Sequence, residues 1–378
     1  MSERRDTSLQ GQRVIVIGGG VFGTMHSYLA LQRGADVVHL ERDVAPRGAT
    51  VRNFGLVWIS GRAPGRELQL ALRGRELWSG IARENPGVGF RTNGSLTLAS
   101  RRDELAVLER AMERGDATER GFEMMSADEV RRKNPALAGE FLGGLYCRQD
   151  AAVEPRKSLG VLRAAMQSTG RYEYLPAREL VGIGDHEAID HQGVRHRGDR
   201  VYLCLGASLS GFAAELFEGE PLRSVRLQMA ETEPLGRELT TSLANGDSLR
   251  YYPGFQGLCE GLLAPQNPEA ATYAIQLLCQ QRLHGGLTIG DTHEPDEGGV
   301  FSTSDRPLEI IMEAAKALIG SRMPRIDRRW SGTYHQLSSP RADDIYFRKE
   351  VARGVIAVTG AGGRGMTLAP AIAEESFL

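Results

Sequence analysis

The sequence predicts an α/β fold assembled from two domains. Three observations carry this. The chain has 378 residues, more than one domain usually spans. It opens on strand, glycine-rich turn, helix and strand, and it closes on strand, glycine-rich loop and helix. Between them, residues 221–305 read as strands and hairpins.

The opening is the most specific. Val14 to Ile17 is an unbroken β-branched run, as expected of a strand buried on both faces. Gly18-x-Gly20-x-x-Gly23 follows. The first glycine permits a tight turn, the second a close approach of backbone to a pyrophosphate, the third the packing of helix on strand. Residues 21–33 suit that helix, and Gly34 is placed to end it. Val37 to Leu40 is a second apolar run ending at Glu41, an acid able to accept from both ribose hydroxyls. The stretch reads as a dinucleotide site, and both FAD and NAD satisfy it.

Further along, an arginine- and glycine-rich segment (47–65) precedes a helix around Glu67 to Arg83 and a strand at Ser95 to Ala99. Residues 100–115 have helical spacing, with Leu105, Leu108 and Met112 on one face, and Ser126 with Glu129 forms a capping box. Residues 155–167 suit a helix, 172–183 a strand region and 200–205 a strand. Tyr273, Ile275, Leu277 and Cys279 alternate as in a strand, and a turn at 284–286 leads to LTIGD (287–291). Residues 308–319 form a helix. The closing strand, glycine loop and helix (354–377) is a second device able to hold a partly negative group at a helix N-terminus. An NAD enzyme of this size does not require it. For FAD it has a use, because the N1/C2=O edge of the isoalloxazine gains negative charge on reduction.

Composition excludes several classes. The net charge of −2 gives no basis for nucleic acid as a partner. No apolar run approaches the ~20 residues of a membrane span. Residues 1–12 lack the apolar core of a secretory signal and read as a tail before the first strand. Cys147, Cys204, Cys259 and Cys279 form no CxxC, and the expectation is reduced thiols in a cytoplasmic protein. The histidines lack ligand spacing, so no metal is expected. Lys133, Lys157, Lys316 and Lys349 are the only lysines, so any lysine-based role has few candidates.

GGGVFG (18–23), Glu41-Arg42, RGATVRNFG (47–55), VEPR (153–156), LCLGAS (203–208) and GAGGRGMTLAP (360–370) together resemble the FAD-dependent amino-acid oxidases of the D-amino-acid oxidase, glycine oxidase and sarcosine oxidase type. GATVRNFGLVW, RTNGSLTLA, AVEPR, LQM, LTIGDTHE, RRWSGTY and TGAGGRGMTLA are similar to a clade of oxidoreductases proposed to act in bacterial phosphonate catabolism. The resemblance implies a Rossmann-type FAD-binding domain (11–88, 150–220 and 325–378) interleaved with an α+β substrate domain (89–149 and 221–324) on a mixed, largely antiparallel sheet.

It also implies roles. Gly18, Gly20, Val21, Phe22 and Gly23 would receive the pyrophosphate, and Glu41 the ribose, with Arg42 close by. Gly48, Thr50, Arg52, Asn53 and Gly55 belong to the loop beneath the flavin. Gly363, Arg364, Gly365, Met366 and Thr367 would approach its pyrimidine edge, and Leu180 and Gly206 complete the cofactor-binding set. Arg52 stands where covalently flavinylated relatives carry histidine, and no cysteine follows Cys279, so FAD is expected to be non-covalent. Thr367 stands where sarcosine oxidases carry a lysine that grips the substrate carboxylate.

Hydride transfer from an amine α-carbon to flavin N5, followed by imine hydrolysis, asks the protein mainly for placement and electrostatics. An anion clamp suits arginine, whose planar fork pairs with carboxylate or phosphonate. Arg52, Arg250 and Arg329 are the candidates, Tyr251, Tyr252, Trp330 and Tyr334 a candidate wall, and His293 a candidate catalytic group. The expected substrate is a small anionic amine: an aminophosphonate such as 2-aminoethylphosphonate or an N-alkyl derivative. Glycine, sarcosine or a D-amino acid is the alternative. A non-catalytic FAD-binding subunit is the alternative of another class. O2 is the expected electron acceptor ahead of a quinone or an electron-transfer protein, with His293 as the first choice for a positive charge near it.

Overall fold

The computed structural model describes residues 8–208, 210–296, 302–338 and 344–378. Most of the expected N-terminal tail, residues 1–7, lies outside the described residues. Leu9, just after it, is 2% exposed and belongs to the core.

β1 (Arg13–Ile17), α1 (Val21–Gln32) and β2 (Asp36–Leu40) form the expected βαβ unit, with β1 and β2 parallel in register. β1 lies inside a six-stranded sheet ordered Phe347–Ala352, Val355–Thr359, Arg200–Leu203, β1, β2, Tyr172–Leu175. The sheet is parallel except for Phe347–Ala352, which pairs antiparallel with Val355–Thr359. The unbroken apolar run in β1 has a direct cause. Val14 and Val16 pack with α1, Arg66–Glu84, Pro155–Gln167 and the C-terminal helix Gly365–Glu375. Ile15 and Ile17 face the other way, in a core shared with a small antiparallel sheet of Leu180–Gly184, Glu187–Asp190 and Arg195–Arg197.

The second large sheet has nine strands. Its pairings are antiparallel except Ser242–Ala244 with Ser95–Ala99. It is the mixed, largely antiparallel sheet expected. Its long ribbon pairs Leu222–Pro234 with Ile326–Leu337. The latter strand therefore belongs to this sheet, whereas the boundary expected at 325 put it with the other. Helix Asp305–Ile319 packs on one face.

Two local readings change. On helix Arg102–Met112 the fully buried apolar positions are Val107, Leu108 and Ala111, while Leu105 and Met112 are partly covered. The alternation at 273–279 does not make one strand. Asn267 caps a short helix, Pro268–Thr272, and the strand begins at Leu278. The Ser126–Glu129 capping box forms as read.

Candidate active site

A cavity of about 600 Å³ runs from the C-terminal end of β1 to the nine-stranded sheet. At the first pole the backbone makes the walls. Gly18 has φ +106, and a Cβ there would lie 2.3 Å from Cys204 O, so only glycine turns the chain here. A Cβ on Gly23 would lie 1.9 Å from Gly18 O, which is the close helix–strand packing the motif requires. Gly20 caps α1 without any side-chain cap bond. A Cβ there would meet only Thr50 Oγ1, at 3.2 Å. Gly48 and Gly206 would meet nothing within 4 Å. These three line the cavity and leave its floor free of side chains. Thr50 Oγ1 accepts from Val21 N at 2.9 Å, tying the 47–55 loop to the start of α1. Glu41 is buried, and its carboxylate accepts from Gly19 N at 2.6 Å and Asp43 N at 3.0 Å. Arg42 lines the cavity and donates to Ser208 Oγ at 3.1 Å.

The middle is lined by Val21, Phe22, Arg52, Asn53, Leu180 and Cys204, and by the loop 360–366, which leads into the C-terminal helix. That helix also starts without a side-chain cap bond.

The far pole is made of side chains. Tyr251, Tyr252, Tyr334, His293, Gln276, Asp291 and Arg62 converge on it. The Tyr251 and Tyr334 hydroxyls are 3.0 Å apart, and the His293 ring lies 3.9 Å from that of Tyr251. Burial raises all three tyrosines above the usual phenol value. Burial pushes the His293 imidazole down to about 4 and the Asp291 carboxyl up to about 7. Arg62 is 2% exposed. Its Nε donates to Trp58 O at 2.8 Å, its Nη1 lies 3.4 Å from Glu67, and its guanidinium sits 5.6 Å from the centre of the Tyr252 ring. Glu67 also pairs with Arg364 at 3.3 Å.

Several expected residues are not brought to the cavity. Arg329 is nearly half exposed on the ribbon and pairs with Asp305. Arg250 pairs with Asp247 at 3.3 Å and donates to Ala264 O. Trp330 is wedged between Arg156, 4.8 Å above its ring, and the Arg52 carbonyl, to which its Nε1 donates at 2.9 Å. Each has its polar groups occupied elsewhere, and none lines the cavity. Arg52 does line it, exposed, with Nη1 donating to Ser331 O at 2.7 Å. Gly23, Gly55 and Thr367 act one layer back. Gly55 has φ +80 with a Cβ position 2.2 Å from Val153 O, and Thr367 Oγ1 accepts from Trp58 N at 2.9 Å. His293 is in place but neutral near pH 7, so it does not supply the expected positive charge. Arg62 is the buried cation at this pole.

The sequence reading missed Arg62, Gln276 and Asp291. Asp291 had a signal: it closes an apolar strand, Gly286–Gly290, as Glu41 closes β2. Arg62 and Gln276 had none.

A βαβ unit whose glycines open onto one elongated cavity, with a buried polar pole at its far end, defines a dinucleotide-dependent enzyme. The chain belongs to the FAD dependent oxidoreductase family, whose family profile matches residues 13–376. It is similar to a subunit of the opine oxidase of Rhizobium meliloti, 21% identical over 95% of this chain and 92% of the relative. Its fold is similar to that of glycine oxidase from Bacillus cereus, with a TM-score of 0.77, 19% identity and coverage of 97% of this chain and 94% of the other. Iminodiacetate oxidase from Chelativorans sp. BNC1 gives a TM-score of 0.75 at 20% identity, over 96% and 93% of the two chains.

The cofactor is FAD, and the residues present fit it. The glycine floor admits a pyrophosphate where any Cβ would project. Three buried polar atoms on cavity-lining residues, Trp58 Nε1, Gln276 Oε1 and His335 Nδ1, have no protein partner, so the walls retain hydrogen-bonding capacity. Gly18, Gly20, Glu41 and Arg42 would hold the adenosine diphosphate end, and the 360–366 loop the ring end. Among the described residues, no helix is long and apolar enough to cross a membrane.

Proposed function

We propose that this protein oxidises a small anionic amine, an aminophosphonate such as 2-aminoethylphosphonate or an N-alkyl derivative of it. The observation that carries the reading is the set of guanidiniums beyond the glycine floor. Arg52, Arg62 and Arg364 line the cavity there together with the carboxyl groups of Glu67, Asp291 and Asp344, so groups of both signs face the space. Guanidinium forks match phosphonate oxygens, and groups of both signs suit a zwitterion. The aromatic wall of Tyr251, Tyr252 and Tyr334 holds a short carbon chain and excludes water. The similarity of LTIGDTHE, RRWSGTY and TGAGGRGMTLA to the phosphonate clade supports the same substrate class.

Bound FAD supplies the hydride acceptor. The chain's own part is placement. Arg62 is fixed by Trp58 O and Glu67, so it meets an anion without first being ordered. The imine product hydrolyses in water. For the electrons, O2 is the proposed acceptor, with Arg62 as the cation that stabilises charge developing on it.

One observation favours a second reading. Arg52 is exposed and tied to Ser331 O, which leaves Arg62 as the fully buried clamp. A single clamp matches the single carboxylate of glycine, sarcosine or a D-amino acid. Anaerobic bleaching of the holoenzyme by 2-aminoethylphosphonate, its N-methyl derivative, glycine, sarcosine and D-alanine decides between them. The aminophosphonates are expected to bleach it fastest at equal concentration. Faster bleaching by glycine or sarcosine replaces the first reading with the second. Bleaching by none makes the chain a non-catalytic flavoprotein for this class.

A further inference from the structure

We propose that Asp291 and Gln276 form the seat for the substrate's cationic nitrogen, and that Asp291 takes a proton from it. This rests on the reading that an amine is oxidised, and it adds how that amine is recognised and made reactive.

The two residues are held together by their backbones. Gln276 N donates to Asp291 O at 3.1 Å, and Asp291 N to Gln276 O at 2.8 Å. Their side chains follow: Gln276 Nε2 donates to Asp291 Oδ1 at 3.1 Å. That bond fixes the amide with its nitrogen spent on Asp291. Its oxygen is left buried and without a partner. Gln276 is 2% exposed and Asp291 4%, and both line the cavity. An unpartnered amide oxygen and a carboxyl group thus belong to two hydrogen-bonded residues that both line the cavity.

The surroundings specify what they accept from. A buried carboxylate without a cation is costly. Among the described residues the one ion-pair neighbour of Asp291 is His293, at 3.9 Å, and burial keeps that imidazole neutral near pH 7. The other titratable and charged groups lining the cavity beyond its glycine floor include Tyr251, Tyr252, Tyr334, His335, Glu67, Asp344, Arg52, Arg62 and Arg364. The tyrosines are neutral, raised by burial. Arg62 and Arg364 are both engaged by Glu67. The carboxyl thus lacks a fixed positive partner, while its open side is a cavity with aromatic walls, an environment that favours an ammonium. The guanidiniums and the Asp291–Gln276 pair would then receive opposite ends of one zwitterion.

The proton step balances within these groups. An N–H bond of the ammonium breaks, its electron pair stays on nitrogen, and an O–H bond forms on Asp291. The amine now has the lone pair that hydride loss from its α-carbon demands. The elevated pKa of Asp291 suits a group that gains and later returns a proton near neutrality.

The test uses the holoenzyme and two probes that each present one end of the zwitterion, read by perturbation of the flavin absorbance. Propylammonium presents the cation alone, and ethanesulfonate an anion whose charge does not change with pH. Wild type is expected to bind propylammonium more tightly as pH rises, about tenfold per unit below pH 7 and level above it, since the carboxylate form binds. Asp291→Asn is expected to lose that pH dependence and at least about tenfold in affinity at pH 8. Its affinity for ethanesulfonate should stay within about twofold. Gln276→Met is expected to weaken propylammonium by a smaller factor. Unchanged propylammonium binding in Asp291→Asn overturns the proposal. If that variant yields no holoenzyme, the wild-type profile decides: a flat propylammonium affinity from about pH 6 to 8 overturns it equally. The bleaching panel is a separate readout. A chain that oxidises no amine yet binds propylammonium through Asp291 has lost its proposed function and kept its seat.

Discussion

The two poles of the cavity are built from different materials. At the glycine pole the walls are largely backbone: Gly18, Gly20, Gly48 and Gly206 and the start of α1, with Glu41, which directly follows β2. At the far pole they are side chains, from Arg62 after the flavin loop, Tyr251 and Tyr252 beside a short helix, Gln276 and Asp291 on paired backbones, and Tyr334 on the ribbon. Backbone walls demand glycine at fixed spacing, because any Cβ would fill the space. Side-chain walls demand only that distant segments meet. The first pole is therefore rigid in sequence and general in chemistry. The second is free in sequence and sets what reacts.

The largest expected effect tests the backbone pole. Gly20→Val places a branched side chain on the floor of the cavity, against Thr50 Oγ1 and into the space of a pyrophosphate. The purified variant is expected to carry no FAD. A full flavin complement, read from the ratio of absorbance at flavin and protein wavelengths, would move the cofactor elsewhere. Wild-type FAD is expected to leave entirely with the supernatant on acid precipitation, since Arg52 stands where a histidine linkage would be. Yellow pellets would contradict that.

The next effect tests the side-chain pole. Arg62→Ala removes the buried clamp while leaving Glu67 paired with Arg364. A lost charge-assisted contact costs roughly 1.5–3 kcal/mol, which is about one to two decades in kcat/KM. The variant should keep its FAD. Retained flavin with unchanged kcat/KM would remove Arg62 from the site. Stopped-flow reoxidation extends the comparison to the acceptor. Fast O2-dependent reoxidation of the substrate-reduced wild type, with stoichiometric peroxide, is expected. Reoxidation over minutes in air, but fast with an artificial acceptor, would make the protein a dehydrogenase.

How far the sequence could be read follows the same division. The βαβ unit, the second glycine loop and the capping box at Ser126 were legible because each is local: a few residues dictate a turn or a cap. The alternation at 273–279 misled because a short helix, Pro268–Thr272, ends just before it and the strand begins only at Leu278. Arg62 was illegible as a clamp. Its role comes from Glu67, Trp58 O and the Tyr252 ring, the last 190 residues away in sequence (252 against 62). Arg250 and Arg329 looked equivalent to it in sequence. Nothing local says which arginine will meet a surface aspartate and which a buried glutamate.

A smaller effect separates the poles by pH. The Asp291 carboxyl is raised to about 7 by burial, above its unfolded value of about 3.9. A raised carboxyl favours folding below the unfolded value, and that contribution is lost as pH rises towards and through 7. Asp291→Asn has no such group. Its stability relative to wild type should therefore increase between about pH 4 and pH 7 and level off above, by a few kcal/mol at most. Thermal melts of both holoenzymes at about pH 5 and pH 8 measure it. A constant difference in melting temperature would mean that the carboxyl titrates normally. Glu41, at the other pole, already accepts two backbone N–H bonds. Glu41→Gln is thus expected to be read in FAD affinity instead.

The smallest expected effect is the control that gives the comparison its meaning. Arg250 and Arg329 match Arg62 in chemistry and differ in place. Arg329 meets Asp305 on the exposed ribbon, and Arg250 meets Asp247 at 3.3 Å on a short helix. The Arg329 pair is exposed and the Arg250 pair partly buried, and pairs with this much contact with water are worth about 0–1 kcal/mol. Arg329→Ala and Arg250→Ala should therefore each keep their FAD, melt within a few degrees of wild type and hold kcat/KM within about twofold. Arg250 is the sharper case, because it directly precedes Tyr251 in the chain. A small loss of stability with kcat/KM intact is the expected split, since its bonds to Asp247 and Ala264 O hold the segment that carries the tyrosines. A loss in kcat/KM as large as that of Arg62→Ala, at unchanged melting temperature, would show that Arg250 turns into the cavity when substrate binds, and the clamp would then have two arms.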